Sequence, residues 1–240
     1  MGRADRRKQS EKRKSSLWLN VLLYVSLAVF LVCAVVLGSY LYDTIRNSNR
    51  VEEIKTLVRP EEGAQRDIAA ILAVAPDYKG WLTVEGTNID YPVVQGKDND
   101  YYLNHSFDGQ QTRFGALFID KDYVEGESSN RTIYAHNLKN GQGFATLLRY
   151  RDESFYQQYP SFVYEDLEGN QATYDIIAAF YVDLTQEEYF VYNLPMDFSN
   201  AAQRESYVSQ LKRHARYDTG FTLSEGDEII TLSTCSYNTG

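Results

Sequence analysis

The segment from Ser15 to Tyr42 constrains this chain more than any other part of its sequence, because its 28 residues include no charged side chain. About 20 apolar residues in a helix are enough to cross the hydrocarbon core of a bilayer. Trp18 near one end, with Tyr40 and Tyr42 at the other, is typical of the aromatic residues that lie at membrane interfaces. The sequence therefore predicts a transmembrane helix over residues 17–42.

A cleaved signal peptide is the alternative interpretation of this segment. Its apolar run is longer than the usual hydrophobic region of a signal peptide, and LGSYLYDT contains no convincing cleavage pattern of small residues. Seven Lys and Arg residues precede the apolar run, against Asp5 and Glu11. By the positive-inside rule, residues 1–16 form a basic cytoplasmic tail of a single-pass membrane protein, and the rest of the chain lies outside.

Charge is divided unevenly between the two sides of the predicted span. The whole chain has a net charge of −9, and residues 1–16 carry +5, so the remainder carries −14. A strongly acidic surface repels the phosphate backbone of nucleic acids. The charge distribution therefore argues against nucleic acid as a partner.

Residues 43–75 predict a helical stalk and a first helix, separated at Pro60, because apolar residues recur there at helical spacing. From residue 76 onward the pattern changes to short β-rich runs broken by turn residues, which is typical of a mostly antiparallel barrel or sandwich. Six runs are strand candidates: GWLTV, IDYPVV, GALFI, RTIYAH, QATYDIIAAFYV and DEIITLSTC. Two helical insertions interrupt them: GFATLLRYRDESFYQQY and AAQRESYVSQLKRHARY.

The two cysteines lie in different environments. Cys33 falls inside the predicted span, where a small apolar residue fits, so Cys235 is the one cysteine of the predicted extracellular part and has no intrachain disulfide partner there. A lone thiol in an oxidising compartment is buried, paired between chains, or used chemically. The cysteine count leaves these three alternatives open.

Three histidines could act with Cys235, and their surroundings differ. His214 lies among Lys and Arg residues on the polar face of a predicted helix, which favours a solvated position. His105, in YYLNHSFDG, has no neighbouring residue in the sequence that indicates a catalytic partner. His136 ends an apolar strand and is followed by a glycine-rich loop, a position where rigid scaffolds display functional groups.

Strand periodicity places His136 and Cys235 each at the end of one face of a predicted strand, because alternate residues of a strand share one face. The two sets of alternate residues are Thr132, Tyr134 and His136 in one strand, and Ile229, Thr231, Ser233 and Cys235 in the other. If the two strand ends are neighbours, an imidazole would favour the thiolate of a group whose ordinary pKa is about 8.5, and could later protonate a leaving amine. The alternative is two unrelated structural residues. No Asp or Glu flanks His136 to orient it.

The sequence predicts no metal site and no cofactor. Scattered histidines and one extracellular cysteine lack the ligand spacing of a zinc site. The NGQG segment lacks the lysine of a phosphate-binding loop. The acidic stretches KDNDYY and IDKDYVEGE lack the spacing of an EF-hand, and we expect them to be solvated loops.

Taken together, these segments resemble the sortases, which are membrane-anchored cysteine transpeptidases of Gram-positive bacteria. The similar blocks are GWLTVEGTNIDYPVVQGKDNDYYLNHSF, GALFID, IYAHNLKNGQGFATLLRY and TLSTC. TLSTC and the long helical insertion over roughly residues 184–217 resemble class B in particular. The resemblance implies that residues 76–240 form the catalytic domain, a closed eight-stranded sortase-type β-barrel with helical insertions.

The resemblance also implies an activity and a set of site residues. Cys235 would be the nucleophile and His136 the general acid and base, with Asn99, Leu103 and Ser233 lining the peptide groove. The thiolate would cleave an LPxTG- or NPxTN-like sorting motif of a surface protein, leaving a thioester. An amine of a peptidoglycan precursor or of a pilin lysine would then resolve the thioester. Such an enzyme belongs to the cysteine-endopeptidase class of hydrolases and uses no cofactor.

One departure from the family pattern concerns a catalytic arginine. Sortases place it on a last strand after the cysteine, whereas no arginine follows Arg216 in this sequence. Loss of such an electrostatic donor typically costs about 10²- to 10³-fold in rate. The sequence therefore predicts a catalytic domain without its last strand, and weak or absent transpeptidase activity. The alternatives are a truncated or inactive sortase-like surface protein, a cysteine endopeptidase, and a non-catalytic adhesin or receptor.

Overall fold

The computed structural model describes residues 3–58, 66–186, 189–194 and 196–234. Its first element is the helix α1, Arg3–Val58, which runs without interruption through the predicted span and most of the predicted stalk. The part Trp18–Thr56 is long and apolar enough to cross a membrane, with a mean hydropathy of 2.8 in its most apolar stretch. Length and composition are thus compatible with a membrane span.

The chain forms two compact units, residues 1–50 and 51–240. In the second unit, α2 (Ile68–Val74) follows the end of α1. Its N-terminus is capped by Asp67, whose carboxylate accepts a hydrogen bond from the Ala70 N–H at 3.0 Å. Pro60, expected to separate the stalk from the first helix, lies outside the described residues.

Seven strands form one sheet. They are β1 (Tyr78–Val84), β2 (Ile89–Val94), β3 (Leu117–Ile119), β4 (Asn130–Tyr134), β5 (Ser161–Glu165), β6 (Gln171–Asp175) and β7 (Ile229–Ser233). Their order in the sheet is β6-β5-β1-β2-β3-β4-β7. The β2/β3 and β4/β7 pairs are parallel and the other neighbours are antiparallel.

The sheet curls into a nearly closed barrel around one apolar cluster. Every strand contributes a residue to this cluster, in chain order Val84, Ile89, Ile119, Ile133, Tyr164, Tyr174 and Leu232. Because β6 and β7 are at opposite ends of the sheet and still pack on the same cluster, the sheet must close around it. The predicted barrel with helical insertions is confirmed. The described residues contain seven strands, whereas the resemblance implies eight.

The helical insertions are only partly regular. The first consists of a 3₁₀ helix, Ala145–Arg151, and a short α3, Glu153–Gln158. The second contains α4, Ala201–His214. The predicted strand QATYDIIAAFYV ends at Asp175, because the residues after it pack against the second insertion, where Phe180 bridges Ala215.

The second insertion has its own apolar cluster, which also includes the first residue of β7. The buried members of this cluster are Phe190, Phe198, Tyr207, Leu211 and Ile229. Tyr207 and Leu211 are the buried residues of α4, four positions apart on one face of the helix. The insertion is therefore packed on the same edge of the barrel as β7.

Candidate active site

β4 leads directly to His136. Ile133 is fully buried in the barrel cluster, and His136 lies two residues beyond the last residue of β4, where it is partly exposed. Its main chain is held by the glycine-rich loop, since the Phe144 N–H donates to the His136 carbonyl at 2.9 Å. A rigid strand thus presents an accessible imidazole next to a loop.

β7 runs parallel to β4 next to this histidine. Tyr134 is the register partner of Ser233, and the Ala135 N–H donates to the Ser233 carbonyl at 3.2 Å. The Thr234 hydroxyl donates to the Ala135 carbonyl at 2.8 Å, so contacts between the two segments continue past the ends of the strands. Cys235, the predicted nucleophile, lies outside the described residues.

Leu103, predicted to line a peptide groove, is in contact with His136. It ends a 3₁₀ helix, Tyr101–Leu103, and the residue is 38% exposed. Its main-chain carbonyl oxygen lies 2.7 Å from His136 Nε2. The fold therefore brings together two predicted site residues that are 33 positions apart in the sequence.

Asn99, also predicted to line the groove, uses both polar atoms of its amide within the protein. Its Nδ2 donates to Asp120 Oδ2 at 3.1 Å, and its Oδ1 accepts from the Lys121 N–H at 2.9 Å. The same Asp120 oxygen accepts from the Tyr134 hydroxyl at 2.8 Å, and Asn193 Nδ2 donates to that hydroxyl oxygen at 2.8 Å. Burial is the largest influence on the pKa of Tyr134 and raises it; the hydrogen bond from Asn193 lowers this pKa, the bond to Asp120 raises it, and the net shift is upward. Tyr134 therefore remains a neutral donor.

Ser233 is oriented by the second insertion, because its Oγ lies 2.8 Å from the Tyr192 hydroxyl. The Tyr192 main chain is held in turn by Asn130, a residue of β4 that is 1% exposed. Asn130 Nδ2 donates to the carbonyls of Tyr192 and Leu194 at 2.8 and 3.0 Å, and its Oδ1 accepts from the Thr231 hydroxyl at 2.9 Å. Residues 189–194 are thus tied to both β4 and β7.

Sequence reasoning missed Asp120, Tyr192 and Asn193 as parts of this network. Tyr134 was placed on the same strand face as His136, and Asp120 ends the block GALFID that carries the resemblance. For Tyr192 and Asn193 the sequence offers no local signal, because both lie in an irregular part of the insertion.

The other two histidines are occupied elsewhere. His105 stacks on the Tyr101 ring at 3.9 Å between centroids, and its Nδ1 lies 2.8 Å from the Tyr101 carbonyl oxygen. His214 is exposed at the end of α4 and stacks on Phe190 at 5.3 Å. Within the described ranges, no three His, Cys, Asp or Glu side chains are grouped as metal ligands.

Comparison with known proteins identifies the family. The sortase domain matches residues 82–240, about two thirds of the chain, and the chain therefore belongs to the sortase family, the cysteine transpeptidases of the cell wall. Sortase B of Listeria monocytogenes is 33% identical over 93% of this chain and 92% of its own length. Within the family, the resemblance to class B is confirmed.

Solved structures of class B sortases have the same fold. Sortase B from Bacillus anthracis is 27% identical, with a TM-score of 0.69 over 82% of this chain and 93% of that one. A class B sortase of Streptococcus pyogenes involved in pilus biogenesis is 28% identical, with a TM-score of 0.62 over 72% of this chain and 91% of that one. The barrel with helical insertions is thus the class B architecture.

Proposed function

We propose that this class B sortase is a membrane-anchored transpeptidase with Cys235 as nucleophile and His136 as general acid and base. Its substrate is a surface protein with a C-terminal LPxTG- or NPxTN-like sorting motif. Its acceptor is an amine of a peptidoglycan precursor or of a pilin lysine. In this proposal α1 is a single-pass anchor, with the basic tail in the cytoplasm and the barrel outside.

The parallel register of β4 and β7 is the observation that carries the proposal. Tyr134 pairs with Ser233, and His136 and Cys235 each lie two residues further along their segments. In a parallel pair, residues two positions beyond two partners are again neighbours on the same face. Continuation of the register predicts that the imidazole and the thiol project side by side.

The chemistry that such a pair can perform balances in two steps. His136 accepts the thiol proton, the thiolate attacks the carbonyl carbon of the motif's Thr, and the following C–N bond breaks as the imidazolium returns the proton to the departing amine. The acyl group remains on sulfur as a thioester. The acceptor amine then attacks the thioester carbonyl and gives a proton to His136, the C–S bond breaks to release the amide product, and the imidazolium returns that proton to the sulfur to restore the thiol.

The proposed peptide groove draws support from two contacts near His136. Leu103 is an exposed apolar residue whose main-chain carbonyl contacts the imidazole of His136. The Ser233 hydroxyl, two positions before Cys235, has a fixed partner in Tyr192. We propose that Asn99 shapes the wall of the groove through its bonds to Asp120 and Lys121, since both of its amide atoms are already engaged.

The sorting motif and the roles of Cys235 and His136 are tested first, by acylation of the enzyme. The full chain carrying Cys33→Ser is incubated in detergent with LPxTG, NPxTN and SPxTG peptides, and intact-protein mass spectrometry detects an acyl adduct. We expect an adduct with one of these motifs, none in Cys235→Ala, and an acylation rate about 10²- to 10⁴-fold lower in His136→Ala. His214→Ala, which changes an exposed histidine on α4, is the matched control and should react normally.

Adding an amine separates the alternatives. A peptidoglycan stem peptide or a lysine-bearing pilin peptide should convert the adduct to an amide, and the S. pyogenes relative involved in pilus biogenesis is the reason to test the second acceptor. Free acid as the sole product at saturating amine would instead define an endopeptidase. A Cys235 thiol inert to a vinyl sulfone would define a non-catalytic surface protein.

A further inference from the structure

We propose that the main-chain carbonyl of Leu103, kept in place by Gly115, positions His136 as the tautomer that carries its proton on Nε2. Nδ1 is then the nitrogen that exchanges a proton with the thiol of Cys235. The tautomer assignment stands on geometry, whereas its catalytic consequence rests on the proposed function.

The contact partner decides the tautomer. The Leu103 oxygen lies 2.7 Å from His136 Nε2, within the range of a good hydrogen bond. A carbonyl oxygen has no proton to give, so Nε2 must be the donor. A neutral imidazole has one N–H, and the hydrogen bond made by one ring nitrogen fixes the state of the other. In neutral His136, Nδ1 therefore keeps a free lone pair and can act as a base.

The accepting carbonyl belongs to a well-anchored turn. The Asn104 N–H donates to the Tyr101 carbonyl at 3.3 Å, closing the 3₁₀ helix that ends at Leu103. The Ala116 N–H donates to the Tyr102 carbonyl at 3.0 Å, which ties this helix to the segment just before β3. The Leu103 oxygen is thus a fixed acceptor, and it orients the ring.

Gly115 supplies the space for this contact. Its φ of +65° lies in the left-handed region that favours glycine. A Cβ at this position would lie 2.7 Å from the Tyr102 oxygen, 3.0 Å from the Leu103 oxygen and 3.1 Å from His136 Cδ2. Any side chain at residue 115 would therefore press on the acceptor and on the imidazole together.

The Leu103 carbonyl orients the His136 ring, a role for which the sequence indicates no residue. Catalytic histidines are commonly oriented by a third group, often a carboxylate, and no Asp or Glu flanks His136. Here the acceptor is an uncharged main-chain group, which fixes the ring and the tautomer without adding a negative charge beside the imidazole. The main chain of His136 is held separately by Phe144.

Nitrogen NMR of the full chain labelled with ¹⁵N-histidine tests the tautomer directly. The chain contains only three histidines, and loss of one pair of signals in His136→Gln assigns that residue. In its neutral form, His136 should show a protonated Nε2 and an unprotonated Nδ1. His105, whose Nδ1 faces the Tyr101 carbonyl, should show the opposite pattern in the same spectrum. A protonated Nδ1 in His136, or an even mixture of tautomers, would overturn the proposal.

The role of Gly115 is tested by Gly115→Ala against Gly126→Ala. Gly126 also has a positive φ, +76°, but nothing lies within 4 Å of a Cβ there, so it reports the backbone cost alone. We expect Gly115→Ala to lose the tautomer preference and about 10²-fold in kcat/KM, the scale of a misplaced catalytic group, while Gly126→Ala stays within twofold of wild type. The same His136 tautomer and the same kcat/KM in Gly115→Ala and Gly126→Ala would refute the role of Gly115.

The two readouts separate this proposal from the proposed function. The wild-type spectrum needs no substrate and no variant, so it decides the tautomer even if Gly115→Ala fails to fold. A wild-type chain that shows the expected tautomer but forms no thioester contradicts the transpeptidase proposal and leaves the positioning contact intact. A wild-type chain that forms the thioester but shows the opposite tautomer supports the transpeptidase proposal and contradicts the positioning contact.

Discussion

Tyr192 and Ser233 face each other through their hydroxyl groups, with 2.8 Å between the two oxygens. The Tyr192 carbonyl accepts hydrogen bonds from Asn130 at 2.8 Å and from the Tyr207 hydroxyl of α4 at 3.2 Å. Tyr192 is therefore fixed at both its main chain and its side chain. Through it, the second insertion is joined to the strand that leads to Cys235.

Tyr192→Phe should weaken the site without unfolding it. The phenyl ring keeps its packing, but Ser233 loses a partner worth about 1 kcal/mol and its hydroxyl is freed to rotate. If that bond orients Ser233 towards the peptide, kcat/KM should fall about five- to tenfold. Tyr181→Phe, at a tyrosine that is 40% exposed, is the matched control. Equal kinetics in the two variants would contradict this role.

Asn130→Ala should release the second insertion from the barrel. The change leaves the carbonyls of Tyr192 and Leu194 without this donor, and we expect a loss of about 2–4 kcal/mol in the free energy of unfolding. Limited proteolysis should then cut faster within residues 189–194. Thr231→Val removes the hydroxyl that contacts Asn130 Oδ1 and Tyr207 but leaves both Asn130 donors to the carbonyls of Tyr192 and Leu194 in place, so it should cost less stability and change the cleavage rate less than Asn130→Ala. Equal cleavage in all three proteins would contradict the prediction.

Arg66 and Glu165 form a buried ion pair at the β1/β5 side of the barrel. Their side chains are 6% and 2% exposed, and the Arg66 guanidinium also lies 4.3 Å from the centre of the Trp81 ring. Arg66→Leu should destabilise the protein by about 3–5 kcal/mol in urea unfolding, because it leaves a buried carboxylate uncompensated.

Two further variants test this interpretation. The double variant Arg66→Leu/Glu165→Leu should recover most of the lost stability, since neither charge of this buried pair remains. Arg151→Leu breaks a pair with Asp152 whose side chains are 53% and 65% exposed, and it should cost less than about 1 kcal/mol. A double variant as unstable as Arg66→Leu would show that lost packing, not an unpaired charge, is the cause.

Asp90 gives the stability of the barrel a defined pH dependence. Burial alone would raise the pKa of Asp90, but hydrogen bonds from Trp81 and Thr83 and the Lys55 ammonium at 3.1 Å hold it below its ordinary value of 3.8. Because the folded pKa lies below the unfolded one, the stabilisation is present above pH 3.8 and is lost as the pH falls through the folded value.

Comparison of wild type with Asp90→Asn measures this effect. At neutral pH the variant should be less stable by about 2 kcal/mol, the scale of hydrogen bonds to a charged group. The difference in unfolding free energy should shrink as the pH falls below about 4, when the wild-type carboxylate takes up a proton. A difference that stays constant down to about pH 2 would contradict the assignment.

Local sequence pattern predicted most of the barrel. IDYPVV coincides with β2 at both ends, because its apolar and β-branched residues are bounded by turns. β5 was missed, since SFVYE is short and follows directly on a helical segment. The predicted strand QATYDIIAAFYV is longer than β6, which ends at Asp175. The second half of this segment is apolar because it packs against the second insertion, not because it pairs with another strand. Periodicity locates apolar surface but does not say what covers it.

The site was predictable only in part, for a related reason. His136 was singled out by its place at a strand end and Cys235 by cysteine count, and the resemblance supplied Leu103 as a groove residue. The hydrogen bond between Leu103 and His136 depends on a chain reversal that no local pattern encodes. The same is true of Tyr192, whose partner Ser233 is 41 residues away.

The position of β7 in the chain has a consequence for when chemistry can begin. Within the described residues β7 has β4 as its strand neighbour, and their register joins residues 99 positions apart, as in Tyr134 and Ser233. Closing so long a loop costs entropy before any contact repays it, so we expect this strand to dock late in folding. Under the proposed mechanism, a molecule in which β7 has not yet docked would keep Cys235 away from His136 and could not form the thioester. Docking of β7 would thus be the folding step that permits the proposed acyl transfer.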